Sequence, residues 1–373
     1  MPDAVVRRVT RRRALESVGG IVAQTVSAAQ LPRTDGAPRL TPRDQLVNVL
    51  EYEEQAKHVL SASAYAAVAG GDRSAFERIT LRPRMMVPVL DLNLGVTLFG
   101  QAMFAPILVA PIARHGDFHA DGERATVAGA SAAKAVTVIS SQSTVPLASL
   151  AAAGNAPLWY QVFAQDPSAA ARIQEAVTAG CRAICITIGA LPAARSPGSG
   201  QASGARQNSS TLKADLAALD TLTRNVSVPI LVKGIATPEE AKLALQHHVQ
   251  GLIVSSYNAR VSAEGDGSIL SLAAIVDAVG GRAPVLADGS FRRGTDIIKA
   301  LAFGAQAVLV GRPVMWGLAA YGAAGVQGVV EMLQTELARY MAMCGKPNLA
   351  ALDRTMLRVH RASTARAQPG TGG

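Results

Sequence analysis

At 373 residues with 49% hydrophobic content, the chain can bury a large core, as one big α/β domain or as two ordinary ones. Only 4% aromatics, beside 34 Gly, argue against a β-sandwich or a disulfide scaffold and fit a Gly-punctuated α/β enzyme. The net charge of +9 is concentrated at one end, since five arginines (Arg7, Arg8, Arg11, Arg12, Arg13) face a single acid, Asp3, in the first 13 residues; with no basic stripe interleaved with aromatics, no nucleic-acid partner is expected.

The N-terminus carries T-R-R-R-A-L, Thr10 to Leu15, ahead of a mildly apolar stretch that ends in small residues. That order is similar to a twin-arginine export signal, the alternative being a disordered basic tail on a cytoplasmic protein. Residues 1–40 are therefore read apart from a domain over 41–360, and residues 361–373 as a disordered tail. No run reaches the ~18 apolar residues of a membrane span, so no transmembrane segment is expected. Cys181, Cys185 and Cys344 have neither paired nor C-x-x-C spacing and read as buried, inert thiols. No metal site is expected.

L-T-P-R-D-Q-L-V-N-V-L-E-Y-E-E-Q-A-K is the best helix of an N-terminal helical lead. From about residue 105 one theme repeats: a short Val/Ile/Leu-rich run, a polar or Gly exit, then an Ala-rich stretch. Eight such runs occur, at 105–112, 135–141, 156–163, 182–189, 228–235, 250–256, 283–289 and 305–312. Runs that are apolar throughout, rather than alternating, are what strands look like when both faces are covered. Helix candidates fill the gaps, among them H-A-D-G-E-R-A-T-V-A-G-A-S-A-A-K, D-P-S-A-A-A-R-I-Q-E-A-V-T-A-G and T-P-E-E-A-K-L-A-L-Q-H-H; the last two open with a cap and a first-turn proline. Eight βα units without a strand-linked G-x-G-x-x-G predict a closed (β/α)8 TIM barrel with an N-terminal helical extension. The Gly/Ser-rich stretch Ser196 to Ser210 breaks the rhythm, as a loop over the barrel mouth or as a plain linker.

Active sites of such barrels lie at the C-terminal strand ends, which here carry Pro111 to Ala113, Ser140, Gln161, Thr187, Lys233, Ser255 to Arg260, Asp288 to Arg292, Gly311 and Arg312. The last two ends, D-G-S-F-R-R-G-T-D and V-G-R-P, combine small residues, arginines and a helix start, the requirements for holding a phosphate. Lys233 lies inside an apolar strand, a costly place for an ammonium. It fits a Schiff-base lysine, a cation facing a cofactor ring, or a structural salt bridge.

The strings L-V-K-G-I, I-V-S-S-Y-N-A-R, A-D-G-S-F-R-R-G-T-D-I-I-K-A-L-A-F-G-A and V-G-R-P-V-M-W-G-L-A, with R-I-T-L-R-P-R, A-P-I-L-V-A-P and H-A-D-G-E upstream, resemble the FMN-dependent α-hydroxy-acid oxidase and dehydrogenase family over about residues 50 to 350. The resemblance implies FMN as cofactor and oxidation of a small-molecule 2-hydroxy acid to the 2-oxo product. It implies flavin contacts from Pro111, Ile112 and Ala113, and bonds to the ring or ribityl chain from Ser140, Gln161 and Thr187. Lys233 would stabilise negative charge on the reduced ring and Ser255 would contact the cofactor, while Asp288, Gly289, Ser290, Arg292, Gly311 and Arg312 would hold ribityl and phosphate. Tetramers in the family imply a homo-oligomer; the electron acceptor is left open among oxygen, a quinone and a protein.

The substrate side departs from the family. Where the family usually has Asn-His-Gly-Gly or Asn-His-Gly-Ala-Arg, this chain has Ser256-Tyr257-Asn258-Ala259-Arg260, so Tyr257 stands in place of the histidine base. Tyrosine, with a pKa near 10, is a poor base at neutral pH unless strongly perturbed. The aspartate that orients the histidine is here Gly189, and the tyrosine after the strand-three glutamine is Phe163. Arg260 matches the carboxylate-binding arginine, Arg195 is a displaced candidate for the second, and Tyr65 for the tyrosine over the site. The segment after Gly70-Gly71 is shortened. Three readings follow: a working hydroxy-acid oxidoreductase with Tyr257, Lys233 and Arg260 as catalytic residues, an FMN enzyme of altered chemistry, and a flavin-binding protein without turnover.

Overall fold

The computed structural model describes residues 40–84, 87–153, 156–189, 209–255 and 268–360. Helices α1 (Val49–Val59) and α2 (Ala62–Val68) lead in, each opened by a side chain that accepts a backbone N–H: Asn48 from Leu50 and Ser61 from Ala64. The short α3 (Ser74–Glu77) follows, then β1 (Ile79–Leu81), which pairs antiparallel with β12 (Leu357–Val359) near the end of the chain.

A hairpin of β2 (Val96–Leu98) and β3 (Gln101–Met103) precedes the barrel. The barrel strands are β4 (Ile107–Val109), β5 (Val136–Ser140), β6 (Leu158–Phe163), β7 (Ile184–Thr187), β8 (Ile230–Ile235), β9 (Gly251–Ser255), β10 (Val285–Asp288) and β11 (Ala307–Val310). Each pairs in parallel with the next, and β11 closes on β4. The eight apolar runs of the sequence are the eight strands, and the expected TIM barrel with its helical lead is what forms.

The connecting helices are α4 (Gly122–Ala132), α5 (Leu147–Ala153), α6 (Ala169–Thr178), α7 (Ser209–Leu222), α8 (Pro238–Ala244), α9 (Ser268–Val279), α10 (Gly294–Phe303) and α11 (Arg312–Met343). Thr237 caps α8 with Pro238 in its first turn, as the sequence predicts. The proline motif before α6 works one step earlier: Asp166 accepts the Ser168 N–H and the helix starts at Ala169. α11 is broken at Tyr321 and Gly322, where φ of Gly322 is 58°.

Two cores result. Outward strand residues meet the helices, while Leu108, Val138, Trp159, Cys185, Leu231, Ile253, Leu286 and Leu309 fill the barrel interior. The β2–β3 hairpin plugs the end where the strands begin. Phe99 packs edge-on against Trp159 at 5.9 Å, and Gln101 accepts the Trp159 indole N–H at 3.2 Å. Cys181 and Cys185 are buried free thiols pushed up to about 12 by burial, consistent with inert side chains. Among the described residues no helix is long and apolar enough to cross a membrane.

Candidate active site

Strand periodicity places the polar layer. Side chains two apart share a face, so above the apolar Val138, Trp159, Cys185, Leu231, Ile253 and Leu286 the next inward positions are Ser140, Gln161, Thr187, Lys233, Ser255 and Asp288. All six thus stand at the C-terminal mouth. They are joined in two groups. Ser140 Oγ donates to Gln161 Oε1 at 3.1 Å, and Gln161 Nε2 donates to Thr187 Oγ1 at 2.9 Å. On the other side Lys233 Nζ lies 2.7 Å from Asp288 Oδ2 and donates to Ser255 Oγ at 3.1 Å, while Ser255 Oγ donates to Asp288 at 3.0 Å. The salt-bridge reading of Lys233 is therefore realised at the mouth itself.

Pro111, Ile112 and Ala113 follow β4 and are partly exposed; Ile112 packs so closely on Gly311 that a Cβ there would meet its Cδ1 at 3.1 Å. Gly289 (φ 132°) and Ser290 (φ 57°) turn the chain out of β10. Arg292 is buried, stacks 4.7 Å over the Trp316 ring, and donates to the carbonyls of Phe291 and Gly70 at 2.9 and 2.7 Å. Arg312, the first residue of α11, donates to Ser290 Oγ at 3.3 Å. Burial, then the neighbouring Arg312 charge, brings the Arg292 guanidinium down to about 9, and burial lowers Arg312 as well. A buried guanidinium beside a half-buried one calls for an anion.

Tyr257, Arg260 and Arg195 lie outside the described residues, as does most of the Gly/Ser-rich stretch; Ser209 and Ser210 open α7. Phe163 is buried at the end of β6 in register with Thr187. Gly189 has φ 119°, and its N–H donates to the buried carboxylate of Asp215 at 2.7 Å. Tyr65 sits on α2 beside Glu53 and Glu54; burial first, then those carboxylates, raise its hydroxyl.

Sequence reasoning missed three groups around the mouth. One is Asp215, hidden mid-helix. Another is Arg73 with Asp296, paired at 3.1 Å across 223 positions. The third is His115 with Glu123, where only the H-A-D-G-E string gave a signal. Among the described residues no cluster could hold a metal ion.

Residues 53–197 and 190–359 match the model of the FMN-dependent dehydrogenase family. The chain belongs to this family. Its members and this chain are FMN-dependent oxidoreductases. A peroxisomal (S)-2-hydroxy-acid oxidase of Oryza sativa subsp. japonica is 37% identical over 83% of this chain and 95% of its own length. An L-lactate oxidase of Nostoc sp. is 36% identical over 83% of this chain and 98% of its own length. Among solved structures of the family, a mandelate oxidase with (S)-2-phenylpropionate superposes with a TM-score of 0.73 at 31% identity, covering 84% of this chain and 98% of that one.

Proposed function

We propose that the chain oxidises a 2-hydroxy acid to the 2-oxo acid at FMN, with Tyr257 replacing the histidine base. The observation that carries this reading is the polar layer on six strand ends, together with the buried Arg292 and the half-buried Arg312 that follow the last two of the barrel's strands. A ring-shaped ligand with hydrogen-bonding edges and a phosphate tail matches that donor set, so the residues present fit FMN. Ser140, Gln161 and Thr187 would hold the ring and ribityl edge together with the backbone of Pro111 to Ala113. Gly289, Ser290, Arg292, Gly311 and Arg312 would take the phosphate end.

FMN supplies the hydride acceptor of the reaction. Lys233, fixed by Asp288 and Ser255, would lie beside the ring and stabilise negative charge on it. Arg260 pairs with the substrate carboxylate in a bidentate fork. Tyr257, two positions beyond the end of β9 in the sequence, would accept the proton of the substrate hydroxyl. Its phenol would need a lowered pKa to act near neutral pH.

The test is the visible spectrum of the purified protein, recorded anaerobically with short and aromatic 2-hydroxy acids. An oxidised-flavin spectrum should bleach with one of them, and Tyr257→Phe should slow bleaching by about 100-fold or more while leaving flavin content unchanged. Bleaching that Tyr257→Phe does not slow removes tyrosine as the base. A flavin that no hydroxy acid bleaches points to altered chemistry or to binding without turnover.

A further inference from the structure

The short turn Gly70–Arg73, which joins α2 to α3, touches the whole arginine-rich end of the mouth. Gly70 donates its N–H to Glu53 at 2.7 Å and its carbonyl accepts from Arg292 Nη2. Gly71, at φ +127°, lies so close to Arg312 that an added Cβ would stand 2.7 to 2.8 Å from the guanidinium. Arg73 Nη2 bonds both oxygens of Asp296, at 3.2 and 3.1 Å, and Asp296 Oδ2 also accepts the backbone N–H groups of Arg292 and Arg293 at 2.9 and 3.0 Å. The turn is brief because Gly70-Gly71 runs almost directly into α3, which brings Arg73 to this place.

The other terminal nitrogen of Arg73, Nη1, is buried and has no hydrogen-bond partner. A buried donor without an acceptor is costly, and an anionic ligand is one group that can supply the acceptor. Arg73, Arg292, Arg312 and Lys299 share this neighbourhood with Glu53, Glu77, Asp288 and Asp296. Arg73 is close enough to Arg292 to disfavour its charged form, after burial and Arg312.

We propose that Arg73 is a third guanidinium for the phosphate of the cofactor, offering its unpartnered Nη1 while Asp296 holds its Nη2. The proposal rests on the reading that the phosphate lies at Arg292 and Arg312. Arg73 then does two jobs: it neutralises Asp296, which steadies the turn after β10, and it adds a charge-assisted bond to the anion.

The deflavinated full-length protein, titrated with FMN and with riboflavin by flavin fluorescence, separates these roles because riboflavin lacks the phosphate. Arg73→Gln should weaken FMN by roughly 10- to 100-fold while changing riboflavin affinity less than about two-fold. Arg73→Lys should recover part of the FMN loss. Should Arg73→Gln fail to fold, Arg73→Lys carries the test, with FMN weakened several-fold and riboflavin unmoved. Equal losses for both flavins, or none for either, overturn the proposal and leave Arg73 a partner of Asp296 only. Arg312→Gln is the control for the underlying reading. If it too leaves the FMN-to-riboflavin ratio unchanged, the placement of the phosphate is wrong; if it alters that ratio and Arg73→Gln does not, only the role of Arg73 fails.

Discussion

The Lys233 ammonium lies 2.7 Å from the Asp288 carboxylate across the intervening strand β9, and Ser255 on that strand bonds both. The pair is largely buried, with side-chain exposures of 6% and 18%, so removing one member leaves the other charge poorly solvated. Lys233→Met should cost about 3 kcal/mol of stability and slow hydroxy-acid bleaching of the flavin by about 100-fold or more. The double variant Lys233→Met/Asp288→Asn has no stranded charge and should regain most of the stability but none of the rate. Chemical denaturation and anaerobic stopped-flow absorbance check the two arms. A double variant that regains its rate would mean Lys233 acts only through the salt bridge.

The barrel was legible because buried parallel strands leave uninterrupted apolar runs, and the mouth because the same runs end in polar residues two positions beyond an inward apolar one. Ser140, Gln161, Thr187, Lys233, Ser255 and Asp288 could all be found that way. What could not be found depends on pairing across the chain. Nothing near Arg73 announces Asp296, and nothing near Gly189 announces Asp215, since each pair is made only when the barrel closes. Family resemblance marked Gly189 as a lost carboxylate but could not show that its backbone had taken on a bond of its own.

His115 gives the protein an acid sensitivity unconnected with flavin chemistry. It is buried just after the Pro111–Ala113 segment, with Nδ1 bonded to Thr126 Oγ1 at 2.9 Å, while its backbone N–H donates to Glu123 Oε1 at 3.0 Å. Burial, opposed by the Glu123 charge, brings its imidazole from 6.5 down to about 4. The native side chain stays neutral while the unfolded chain takes up a proton below pH 6.5, so stability is full above that pH and falls as the pH drops toward 4, by as much as ~3 kcal/mol. Burial alone would raise the Glu123 carboxyl, but hydrogen bonds from Thr144 and the His115 N–H hold it below its usual range. It therefore contributes stability that is lost at still lower pH. Urea midpoints between pH 7.5 and 4.5 should fall less steeply in His115→Gln than in the parent. Parallel slopes would assign the acid sensitivity to other groups.

Gly189 decides whether the missing histidine–aspartate arrangement can be restored. Its φ of 119° is a conformation that strains any residue with a side chain, and its N–H is committed to Asp215, whose other oxygen accepts from Gln165 at 2.9 Å. An aspartate there would meet both the backbone strain and the like charge of a buried carboxylate. Gly189→Ala should cost about 1–2 kcal/mol from strain alone, and Gly189→Asp more than that, read as loss of melting temperature. It follows that Tyr257→His/Gly189→Asp should bleach with hydroxy acid no faster than Tyr257→His by itself, because an aspartate at 189 is strained and repelled by Asp215. A double variant that is faster than Tyr257→His would show instead that the turn after β7 can reorganise around an aspartate, and that the glycine reflects substrate choice rather than a backbone already spoken for by Asp215.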